Sequence, residues 1–186
     1  MRPDGFVLAG GRSARMGSDK ARADWGGVSM AVAVASVLSA VCGRVALIRR
    51  GDPDGLPWVW PGGAPLEVLR EEDAGEPHPL YGVATALAAS ATEVVLLAPC
   101  DVPCLRAEDV AALIAAAPAV ASVGARRHPL VAALPRAWAG AALDAARAGQ
   151  SVRAFTAALP AIAVPEDSLA NLNDPAALLA ARRGLL

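Results

Sequence analysis

The chain has 186 residues, a formal net charge of −1 and 55% hydrophobic residues. That length fits one domain with a full core, and the near-zero charge gives no electrostatic case for nucleic-acid binding, which shows as a basic patch or domain. Much of the apolar content is alanine, no stretch reaches the ~18 uninterrupted apolar residues of a membrane span, and charges and glycines stand where a signal peptide carries its apolar core, so a soluble cytoplasmic protein is expected.

Short β-type apolar runs alternate with longer alanine-rich segments, the pattern of an α/β sheet protein. In chain order, strands are predicted at 5–9, 44–48, 67–69, 93–98, 120–124 and 130–134. Helices are predicted at 30–41, 80–90, 107–116, 137–148, 152–158 and 175–182. Several strands are continuously apolar, Val94-Val95-Leu96-Leu97-Ala98 most clearly, as expected when both faces are covered. Ser29 can cap the first helix, and Asp174-Pro175 makes an N-cap and N1 pair for the last. Glu108 and Asp109 fall in the first turn of 107–116, where the helix dipole favours negative charge. Segment 51–65 is rich in Gly and Pro and reads as a loop, so the whole of 1–186 reads as a single domain.

Leu8-Ala9-Gly10-Gly11 follows the first strand and runs on to Arg12, Ser13, Arg15, Gly17, Asp19 and Lys20, the only lysine in the chain. Glycines after a buried strand let backbone N–H groups approach an anion, and Arg15 and Lys20 add full positive charge as a fork and a point charge. A Walker A loop would place Ser or Thr after its lysine and Gly before it, and Ser18-Asp19-Lys20 does not. A dinucleotide fingerprint needs G-x-G-x-x-G, and Gly10-Gly11 with Gly17 has another spacing.

Asp101 stands just past the carboxyl end of a predicted central strand, inside Pro99-Cys100-Asp101-Val102-Pro103. A carboxylate there can hold Mg²⁺, a hard ion that prefers oxygen ligands and bridges protein to phosphate, or it can cap the turn before the next helix. Cys100 and Cys104 have C-x-x-x-C spacing without a second Cys/His pair nearby, so they read as thiols rather than zinc ligands.

The run L-A-G-G-x-S-x-R-M-G-x-D-K resembles the signature of the molybdenum cofactor guanylyltransferases (MobA-like), within the Rossmann-like nucleotidyltransferases; Leu8, Ala9, Gly10, Gly11, Ser13, Arg15, Met16, Gly17, Asp19 and Lys20 match it. The resemblance runs from residue 6 to about 178 and implies a three-layer fold, a mostly parallel central sheet with helices on both faces. It implies a nucleotide-binding half over about 1–105 and an acceptor-binding half over about 106–186. It implies Leu8, Ala9, Gly10, Gly11, Lys20, Asp73 and Asp101 as nucleotide-binding residues, Arg15, Lys20 and Asp101 as catalytic, and Asp101 as the Mg²⁺ ligand. Glu71, Glu72 and Asp73 equally read as a solvated acidic edge, and His78 and Tyr81 depart from the family's G-P-L-A-G loop at Pro79-Leu80-Tyr81-Gly82.

On the acceptor side the resemblance implies His128, in Arg126-Arg127-His128-Pro129, then Arg153, and Asn171 and Asn173 in Asn171-Leu172-Asn173-Asp174-Pro175. The implied reaction moves GMP from GTP to molybdenum-bearing molybdopterin and releases pyrophosphate, with molybdoenzyme chaperones as candidate partners. The family's guanine-contacting Asn after the second strand has no counterpart, since this chain reads Ile48-Arg49-Arg50-Gly51 there. Alternatives are therefore a transferase using another base or acceptor, such as a cytidylyltransferase or a sugar-phosphate nucleotidyltransferase, and a non-catalytic nucleotide-binding protein.

Overall fold

The structure is a computed structural model that describes residues 1–10, 19–51, 55–71 and 76–170. Strands β1 (Asp4–Leu8), β2 (Asp24–Trp25) and β3 (Val28–Ser29) lead into α1 (Met30–Ser39) and β4 (Arg44–Arg49). Then come β5 (Glu67–Arg70), α2 (Pro79–Ala89), β6 (Val94–Pro99), α3 (Ala107–Ala115), β7 (Ala119–Val123) and β8 (Arg126–Pro135). The described part ends with α4 (Ala139–Arg147), α5 (Val152–Phe155) and β9 (Ala161–Ala163), and short 3-10 turns occur at Lys20–Arg22, Arg136–Trp138 and Asp167–Leu169.

The large sheet has the order β5-β4-β1-β6-β8-β7-β9. Its β5-β4-β1-β6 part is parallel, with Val7 opposite Leu47 on one side and Ala98 on the other. Alternate residues of these strands face opposite layers, as the period-two pleat requires. Val7, Leu47 and Leu96 pack on α1 and α3 through Val34, Leu38, Val110 and Leu113. Phe6, Ile48 and Leu97 pack on α2 and α4 through Leu80, Leu87 and Ala142. Each large side chain buried this way contributes roughly 1.5–3 kcal/mol, so both faces of the sheet are committed. Ser29 caps α1 by accepting from Val32 N at 3.4 Å, and Glu108 and Asp109 occupy the first turn of α3, as the sequence leads one to expect.

Four features differ from the sequence expectation. Gly26 and Gly27, both at positive φ (62° and 92°), turn a two-residue hairpin between β2 and β3. β8 begins at Arg126 rather than 130, because the ladder with β7 slips between Val120 and Ala121 and so passes over Pro129, which has no N–H to give it. α5 stops at Phe155, where Thr156 Oγ1 turns back to donate to Val152 O at 2.9 Å. β9 joins the sheet edge as a three-residue parallel strand. The helix expected over 175–182 and its Asp174 cap lie outside the described residues.

Strands β1 and β6 are neighbours, yet the chain leaves β1 toward β4 and leaves β6 toward β8, where pairing turns antiparallel. Ligands of open α/β sheets bind outside the carboxyl ends of strands at such a switch point. No helix among the described residues is long and apolar enough to cross a membrane.

Candidate active site

Both ladders of β1 continue one residue beyond the strand: Ala9 N donates to Ile48 O at 2.9 Å and Cys100 N donates to Leu8 O at 3.1 Å. Gly10 and Asp101 therefore leave the sheet side by side at its carboxyl edge. Lys20 enters the same place from the 3-10 turn Lys20–Arg22, whose first N–H groups need a cap. Asp19 supplies it, its Oδ1 accepting from Ala21 N at 3.0 Å. Lys20 Nζ then donates to Asp101 Oδ2 at 2.9 Å across 81 residues of sequence, with the side chains 12% and 19% exposed.

The other carboxylate oxygen, Asp101 Oδ1, is buried and accepts no hydrogen bond among the described residues. Buried oxygens without a donor are rare in native proteins and point to an ion, water or ligand. The contrast with Asp4, a buried acid at the opposite edge of the sheet, is instructive: its Oδ2 accepts from Ser90 Oγ at 2.9 Å and Ala91 N at 2.8 Å, which makes it a structural anchor. Cys100 cannot serve as a nucleophile here, because burial first and the neighbouring Asp101 charge second push its thiol up to about 12.

Glu71, the first residue after β5, is also drawn into the site. It is buried, and a Cβ placed on Gly10 would come within 2.4 Å of its Oε2. Glycine at position 10 is thus what lets the turn after β1 pass over this carboxylate. Sequence reasoning passed over Glu71 in favour of Asp73, although Glu71 obeys the same rule as Asp101, an acid just past a parallel strand. His78, which replaces the family's glycine, caps α2: its Nδ1 accepts from Leu80 N at 3.3 Å.

Of the residues singled out from sequence, the structure brings Leu8, Ala9, Gly10, Lys20 and Asp101 together. Gly11, Arg15, Asp73, Asn171 and Asn173 lie outside the described residues. His128, on β8, lies within electrostatic reach of Asp101; burial first and Arg126 second hold its imidazole below the ordinary 6.5, and Asp101 opposes them. Arg127 points elsewhere, donating to Thr156 O at 3.0 Å, which also accepts from Leu159 N, and to Leu159 O at 2.8 Å, so it ties down the turn after α5. Arg153 is exposed on α5.

Residues 5–163 match the family described as the MobA-like NTP transferase domain. The chain belongs to this family. A molybdenum cofactor guanylyltransferase of Rhodobacter capsulatus is 34% identical over 184 residues, covering 94% of this chain and 92% of the relative. One from Acidiphilium cryptum is 36% identical over 194 residues, covering 96% and 93%. Among solved structures, the molybdopterin-guanine dinucleotide biosynthesis protein A of Archaeoglobus fulgidus superposes with a TM-score of 0.76 at 18% identity, over 97% of both chains. The 2-C-methyl-D-erythritol 4-phosphate cytidylyltransferase of Thermus thermophilus gives 0.70 at 19% identity, over 100% of this chain and 99% of that one. At such identities the two superpositions establish the fold, a Rossmann-like nucleotidyltransferase sheet, and membership of the MobA-like family makes the chain a nucleotidyltransferase.

Proposed function

We propose that this protein is a Mg²⁺-dependent guanylyltransferase that moves GMP from GTP to a molybdopterin-type acceptor in the cytoplasm. An acceptor phosphate oxygen attacks the α-phosphorus, the bond from that phosphorus to the bridging oxygen breaks, and pyrophosphate leaves with that oxygen. The observation that carries the reading is the Lys20–Asp101 pair at the switch point, with one carboxylate oxygen still open, in a chain of the MobA-like family. An acceptor phosphate is ionised near neutral pH, so the reaction needs charge stabilisation and alignment rather than a general base.

Lys20 neutralises charge developing on the leaving pyrophosphate. Gly10, kept free of a Cβ, admits the triphosphate to backbone N–H groups. Asp101 Oδ1 suits a hard divalent cation, and Mg²⁺ held there would supply Lewis-acid neutralisation of the phosphates. His128 is the acceptor-side group with support from the geometry, through its proximity to the Asp101 charge. Arg153, Asn171 and Asn173 extend the acceptor side in this reading, and molybdoenzyme chaperones are the partners it implies.

One observation favours a second base: the chain leaves β4 as Arg49-Arg50-Gly51, without a counterpart of the guanine-contacting Asn of the family. Calorimetric titration with GTP, CTP, ATP and UTP in the presence of Mg²⁺ separates the readings. Preference for GTP supports guanylyl transfer. Preference for CTP keeps the enzyme class and overturns the base, and binding of no nucleotide overturns both.

A further inference from the structure

Arg49 is 4% exposed at the end of β4, an unusual depth for an arginine. Its guanidinium works inward on three sides. Nη2 donates to Asp19 Oδ2 at 2.6 Å, Nε to Gly51 O at 3.1 Å and Nη1 to Ala9 O at 3.4 Å. Ala9 and Asp19 stand on either side of the glycine-rich segment, so one side chain joins the chain where that segment begins to the chain where it ends. The guanidinium also lies 4.8 Å from the ring centre of Trp58, which is itself 4% exposed.

The same ring holds the other end of the Lys20 turn. Arg22 lies 4.0 Å from the Trp58 ring centre, and its Nη2 donates to Leu56 O at 2.6 Å. The three-residue turn bearing Lys20 is therefore fastened at Asp19 by Arg49 and at Arg22 by Trp58 and Leu56. Lysine carries a long flexible stem with roughly 2 kcal/mol of rotamer entropy, so the direction of its amine depends on how firmly its backbone is held.

We infer that Arg49 is a positioning residue for nucleotidyl transfer: through Asp19, and with Trp58 as a shared base, it fixes the turn that aims Lys20 at Asp101 and the triphosphate. This rests on the proposed function. It also assigns Arg49 a task other than reading the base, since its three bonded nitrogens face the protein's own chain. Arginine rather than lysine is required, because its three acceptors are met by three separate nitrogens of a planar fork, a spread that one ammonium nitrogen does not span.

The test is a kinetic cycle of Arg49→Met, Arg49→Lys, Asp19→Asn and Lys20→Ala, with Arg49→Met also placed on the Lys20→Ala background, measured by pyrophosphate release from GTP with Mg²⁺ and molybdopterin. Arg49→Met is expected to lower kcat roughly a hundred-fold, the scale of a ~1 Å misplacement, with the KM for the acceptor unmoved. Asp19→Asn should lose a comparable factor, and Arg49→Lys should restore only part of it. On the Lys20→Ala background Arg49→Met should add less than about a two-fold further loss, because both act through one group. Unchanged kcat in Arg49→Met, or an equal loss with and without Lys20, overturns the inference. If Arg49→Met does not fold, Asp19→Asn decides by the same criteria, since that side chain is 23% exposed and reports the same ion pair. Wild-type protein that releases no pyrophosphate from GTP and molybdopterin refutes the proposed function itself, whereas an active wild type and an inactive Lys20→Ala beside a fully active Arg49→Met refute only the role of Arg49.

Discussion

Replacing Asp101 with alanine separates a residue that serves chemistry from one that serves folding. The substitution removes the charge-assisted bond from Lys20 at 2.9 Å, worth about 1.5–3 kcal/mol. It also removes Oδ1, a buried acceptor without a donor, whose desolvation costs the native state about 1–3 kcal/mol. The two terms oppose each other and leave a net change within ~2 kcal/mol. For a chain of this size each kcal/mol moves Tm by roughly 2–4 °C, so the shift should stay under ~8 °C. Activity should fall much further: losing the anchor for both the Lys20 amine and the cation removes ~4 kcal/mol of transition-state stabilisation, or about a thousand-fold in rate. The assay pairs calorimetric melting with Mg²⁺-dependent pyrophosphate release on the same preparation. A fall in Tm well beyond that range would make Asp101 a structural turn residue. A normal response to Mg²⁺ would remove it from the cation site.

Gly10→Ala should reduce stability by ~1–3 kcal/mol, since its Cβ would meet Glu71 Oε2 at 2.4 Å, and adding Glu71→Ala should recover much of the melting temperature; an unshifted Tm in the single variant refutes the close approach. Arg127→Met should destabilise by ~1–3 kcal/mol, chiefly through Leu159 O stripped of its donor while Thr156 O keeps the bond from Leu159 N, with GTP affinity unchanged in calorimetry. His128 has a folded-state pKa below 6.5, so the unfolded chain takes up the proton first: the stability it contributes is complete above 6.5 and is lost as pH falls toward the folded value. His128→Gln should flatten the melting-temperature profile between about pH 7 and pH 5, and an unchanged slope would contradict this.

The parallel half of the fold was readable because its strands are continuous apolar runs ending at glycine or acid, and Val94–Pro99 followed by Asp101 is the clearest instance. Asp101 was legible as a candidate for the same reason, a charge just beyond a buried strand, and Lys20 through the glycine-rich run that carries it. What sequence did not disclose depends on pairing or on distance. Gly26-Gly27 carried a turn signal, but strands of two residues leave no periodicity to flank it. Ala161–Ala163 gives no hint of a strand amid so much alanine, and only the open edge of β7 makes it one. No task for Arg49 was legible in sequence, because Asp19, Ala9 and Trp58 surround it only in the fold. Glu71 was hidden among neighbouring acids, and burial against Gly10 is what distinguishes it.

The Lys20–Asp101 contact also makes the protein a convenient chemical reporter. The chain has a single lysine, so the ε-amine at the triphosphate end of the proposed site is the only one that an amine-directed reagent can modify besides the N-terminus. That amine is 12% exposed and ion-paired, which slows acylation in the resting protein. A labelling rate read by intact-mass spectrometry thus follows one atom. Protection by an added nucleotide, or release on loosening its ion pair, would appear as a change in one peak, without isotopes, an acceptor or turnover.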